Sequence, residues 1–99
     1  MMRIRLAYGY FSSTFFRVAM KDHWAQEAAN ILKSLLEREG LSYRELAKRL
    51  AQIGHPEEEA ALRNKINRGT FQFQFFIRCL SALGHREVWF EIRPEPEAK

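Results

Sequence analysis

"LSYRELAKRL", residues 41–50, decides how the rest of the chain is read. Ser42 followed three residues later by Glu45 is the pattern of a capping box, in which the hydroxyl serves a free amide of the first turn and the carboxylate reaches back. Leu41 is placed to pack against Leu46, and Leu46, Ala47, Leu50 and Ile53 recur at helical spacing. Arg44, Lys48, Arg49 and Gln52 fall on the other side. The stretch predicts an amphipathic helix ending at Gly54, with Pro56 available as the first residue of the next one.

Working outward, Gly40, Gly54, Gly69 and Gly84 each close a segment of helical period, as glycines beyond helix ends do. Four short helices are therefore expected. The first runs from about Asp22 to Glu39, with Asp22 as cap and Trp24, Ala28, Ile31, Leu32, Leu35 and Leu36 as its apolar stripe. A third runs from about Glu57 to Arg68, opened by glutamates that suit the positive end of the helix dipole. Thr70 is placed to cap the fourth, "FQFQFFIRCLSAL", with Phe73, Phe76, Ile77, Leu80 and Leu83 inward.

Beyond Gly84 the period changes to two. Val88, Phe90 and Ile92 alternate with Trp89, Glu91 and Arg93, which is the pattern of a strand. "RIRLAY" aligns Ile4, Leu6 and Tyr8 in the same way. A lone strand is unstable, so the two ends are expected to pair with each other or across a dimer. The expected organisation is an amino-terminal extension with a strand over 1–20, a helical domain over 21–84, a strand within 85–94 and a disordered tail over 95–99.

Bulk composition narrows the classes. A chain of 99 residues supports a single core. Sixteen Lys+Arg against twelve Asp+Glu give a net charge of +4, which fits an acidic partner such as nucleic acid. Cys79 is the one cysteine and sits in an apolar run, so it reads as a buried, inert thiol outside any disulfide framework. His23, His55 and His85 are scattered in no metal-ligand spacing. The aromatic stretch after Arg3 and Arg5 is broken by Gly9, Ser12, Ser13 and Thr14, which argues against a signal peptide. It is also too short and too polar to span a bilayer. The expectation is a cytoplasmic protein, and whether translation begins at Met1 or at Met20 stays open. With no nucleophile elbow and no phosphate-cradling glycine loop, neither an enzyme nor a cofactor is expected.

"LSYRELAKRL", then "INRG", then an apolar helix closing on "LSALG" together resemble the helix-turn-helix of lambda-repressor/Cro-like regulators. The wider pattern, from Trp24 through "RNKINRG" to Gly84, resembles more closely a small bacterial family of uncharacterised repressor-like proteins. The resemblance implies a mainly α, compact four-helix helix-turn-helix domain, here with short terminal β-strands, and a DNA-binding transcriptional regulator. One departure is plain: Leu46 and Ile66 lie 20 positions apart, several more than the repressor pattern has, and the connection or the helices must absorb them.

The third helix also reads physically. With Leu62 and Ile66 inward, Ala60, Asn64, Asn67 and Arg68 lie opposite, and Arg63 and Lys65 fall on the flanks. Small alanines permit close approach to a major groove, while Asn pairs with adenine and Arg with guanine through two hydrogen bonds each. Ala60, Asn64, Asn67 and Arg68 are thus the expected base contacts. Arg44, Lys48, Arg49, Arg63 and Lys65 are the expected phosphate contacts. Against this stands an ordinary solvated helix face, favoured by the clustered carboxylates Glu57, Glu58 and Glu59. The rival function is a protein-interaction or dimerisation module with no DNA binding, suggested by Tyr8, Tyr10, Phe11, Phe15, Phe16, Trp89 and Phe90. A homodimer serves either reading, because paired recognition helices read palindromic sites.

Overall fold

The computed structural model describes residues 22–96, and these hold four helices and no strand. They are α1 (His23–Glu39), α2 (Tyr43–Gln52), α3 (Glu59–Arg68) and α4 (Phe73–Leu83). α1 packs on α3, and α2 packs on both α3 and α4. Leu32, Leu35, Leu46, Leu50, Leu62, Ile66 and Cys79 are sealed from solvent at the centre.

The caps are local chemistry. Asp22 Oδ2 accepts from the amides of Trp24 (3.0 Å) and Ala25 (3.3 Å), starting α1 where expected. Ser42 Oγ accepts from Glu45 N at 3.1 Å, the first arm of the capping box. The Glu45 carboxylate turns instead toward Arg49, 3.9 Å away on the next turn.

Two helix starts differ from the sequence reading. α3 begins at Glu59, because Glu58 takes the extended cap conformation; Pro56 lies in a six-residue link over 53–58. α4 begins at Phe73 after Gln72, and Thr70 sits exposed ahead of it. Its inward face is turned from the expected one. Phe75, Phe76, Cys79, Leu80, Ala82 and Leu83 are buried, while Phe73 and Ile77 face out.

On α1 the buried line is Ala25, Ala29, Leu32 and Leu36, with Leu35 beside it. Trp24, Ala28 and Ile31 form its flank, and Trp24 is 49% exposed. Alanines set this choice, because the end of α3 presses close to the α1 backbone. A Cβ at Gly69 would collide with the Ala25 carbonyl, and Gly69 also holds φ +73°. The glycine of "INRG" is thus both the C-cap of α3 and the point where α3 meets α1.

The alternation over 88–92 does not build a strand. Residues 88–93 run past α1 without regular secondary structure, with Val88 packed against the core and the Phe90 ring edge-on to Phe76 at 6.0 Å. Glu27, buried on α1, accepts the Arg93 amide at 2.7 Å, and His23 Nε2 meets the Arg93 carbonyl at 3.0 Å. Among the described residues, side chains rather than a neighbouring strand hold this segment. The expected strand over Ile4, Leu6 and Tyr8 lies outside the described residues.

Candidate nucleic-acid interface

α3 hangs on two anchors. Leu62 and Ile66, one turn apart, are completely buried, and each such side chain contributes roughly 1.5–3 kcal/mol of burial. The opposite side is open: Ala60, Asn64 and Arg68, spaced i, i+4 and i+8, are exposed, with Ala61 and Arg63 alongside. Asn67 departs from that line. It is half-buried and engaged within the protein, next to the Gly69 contact with α1.

The charges sort themselves by partner. Lys65 Nζ lies 2.9 Å from Glu57 Oε2 and 4.7 Å from the centre of the Phe75 ring, so it ties the 53–58 link to α3 and α4. Arg63 Nη2 pairs with Glu59 Oε2 at 2.7 Å, and its guanidinium stands over the Tyr43 ring at 5.5 Å. Arg49 has Glu45 as its neighbour. Two of the three clustered glutamates are thereby neutralised inside the protein. Arg44, Lys48 and Arg68 have no ion pair among the described residues.

Cys79 is buried behind this surface, facing the core. Burial, reinforced by the nearby Glu57 carboxylate, pushes its thiol from the ordinary 9.0 up to about 12. No group of three or more metal-binding side chains occurs among the described residues.

Residues 24–88 match the family described as a domain of unknown function, DUF6471. The chain belongs to that family. No curated protein and no solved structure matches it. The DUF6471 match spans the four helices from Trp24 and ends at Val88, which packs against the core.

Within the DUF6471 domain, Glu27 is the residue that sequence reasoning passed over. It lies three residues after Trp24 and four before Ile31, on an otherwise apolar flank. An acid in such a place needs a partner, and the Arg93 backbone and guanidinium supply one.

Proposed function

We propose that this protein is a sequence-specific double-stranded DNA-binding protein, a small transcriptional regulator of the helix-turn-helix type that inserts α3 into the major groove. The observation that carries the reading is the exposed line Ala60–Asn64–Arg68 on a helix whose buried side is anchored by Leu62 and Ile66. Asn64 and Arg68 meet base edges, Ala60 allows close approach, and Asn67 reaches a base by giving up part of its internal engagement. Arg44 and Lys48 neutralise phosphates directly. Arg49, Arg63 and Lys65 do so only by loosening from Glu45, Glu59 and Glu57. The six-residue link is longer than the three or four residues usual in this motif, and the Lys65–Glu57 pair gives it a fixed course. A homodimer presenting two copies of α3 about 34 Å apart would read a palindrome.

Selection from a random duplex pool tests the reading. Enrichment of a defined site is expected, with Asn64→Ala relaxing preference at one base position and Lys48→Ala weakening all sequences alike. A pool that stays random through selection would sink it. The alternative is a protein-interaction module with no DNA binding, supported by the exposed apolar side chains Ile53, Phe73 and Ile77. That reading predicts a stable complex or dimer lost in Ile77→Asp, and no duplex binding even at low salt.

A further inference from the structure

α1 keeps a second apolar edge that nothing among the described residues fills. Ala28 and Ile31, one turn apart, face Phe71, Phe73, Phe76 and Phe90 across an open cleft of about 260 Å³. All six lining residues are apolar. The rings stand near one another, with Phe73 6.1 Å and Phe90 6.0 Å from Phe76, yet Phe73 is 74% exposed. A cavity of about 150 Å³ already holds a benzene ring, so there is room here for an aromatic side chain or two. Trp24 extends the same edge toward the start of α1.

We propose that this cleft is the docking site of the chain's own residues 1–21, seated through the aromatic side chains of Tyr10, Phe11, Phe15 and Phe16. Attachment favours it. The segment joins Asp22 at the start of α1, and Ala28 lies six residues, roughly 9 Å, along that helix. Phe15 stands seven residues before Asp22, and an extended chain covers about 3.3 Å per residue, more than twice that distance. Composition favours it as well, since the segment combines five aromatics with Val18.

Charge supplies an independent argument. Residues 1–21 carry Arg3, Arg5, Arg17 and Lys21 with no carboxylate, whereas residues 22–99 hold twelve cations and twelve carboxylates. The whole net charge of +4 therefore resides in this segment. The segment that presents Phe90 displays Glu87, Glu91 and Glu95 to solvent together with Arg86 and Arg93, a net charge of −1 over residues 86–96. A cationic, aromatic segment suits an aromatic cleft on a body that carries no excess positive charge better than a second copy of that neutral body does.

The experiment uses the full wild-type chain with methyl-labelled isoleucine, assigning Ile31 by Ile31→Val. Nuclear Overhauser contacts from the Ile31 methyls to rings of Tyr10, Phe11, Phe15 or Phe16, within one molecule, are expected. Contacts seen only between differently labelled molecules would hand the cleft to a second copy and overturn the proposal. Absence of any such contact would overturn it too.

Discussion

Gly69 concentrates two demands on one residue, a left-handed backbone and the space occupied by the Ala25 carbonyl. Gly84 shares only the first demand, since nothing stands within 4 Å of a Cβ there. Gly84→Ala should therefore cost about 1 kcal/mol, whereas Gly69→Ala should cost about 3 kcal/mol or more and loosen α3 from α1. Urea denaturation of both variants measures the difference; equal losses would remove the steric half of the argument. Cys79 offers a second test at this scale. Its thiol ionises only near pH 12 when folded but near 9.0 when exposed, so the unfolded chain alone gives up the proton as pH rises between them. Stability from this source is complete below pH 9 and declines as pH climbs toward 12. Below pH 9, labelling by a thiol reagent should be slow and should track the unfolded fraction in a urea series. Fast labelling of the native protein would contradict the burial.

Helices answer to their outsides as much as to their cores. Lys65 joins Glu57 of the link to the Phe75 ring of α4, so Lys65→Met should cost about 1 kcal/mol and raise amide exchange over 57–59. Asn64→Ala, on the open face, should leave stability within about 0.5 kcal/mol of the parent. Glu27→Gln, by weakening the hold on the Arg93 amide, should speed exchange at Arg93 while leaving α2 unchanged. The same contrast explains what was legible beforehand. Asp22, Ser42 and the four glycines act through bonds to near neighbours, so four helices could be read from them. The inward face of α4 could not, because Phe73, Phe75, Phe76 and Ile77 are all apolar and spacing alone permits more than one rotation. Alternation over 88–92 misled for a related reason: a segment pinned by His23 and Glu27 of α1 needs no partner strand, and spacing alone does not tell the two apart. On α3 the apolar anchors and the bare Ala60–Asn64–Arg68 line followed from the helical period. The ion pairs of Arg63 and Lys65 depended on the path of the 53–58 link, which no periodicity encodes.

At the scale of the molecule, a neutral helical body and a basic amino-terminal segment divide the electrostatics between them. Affinity for DNA from the body alone should thus rest on a few cations such as Arg44, Lys48 and Arg68. Lys48→Ala should lower the salt slope of binding by about 1, the effect of one lost phosphate contact, and Asn64→Ala should leave that slope alone. The most direct test follows amide resonances of the full chain while a selected duplex is added. Shifts centred on Ala60, Asn64 and Arg68 are expected, with a second group at Arg44 and Lys48. Shifts confined to Ile53, Phe73 and Ile77, or none at low salt, would contradict it.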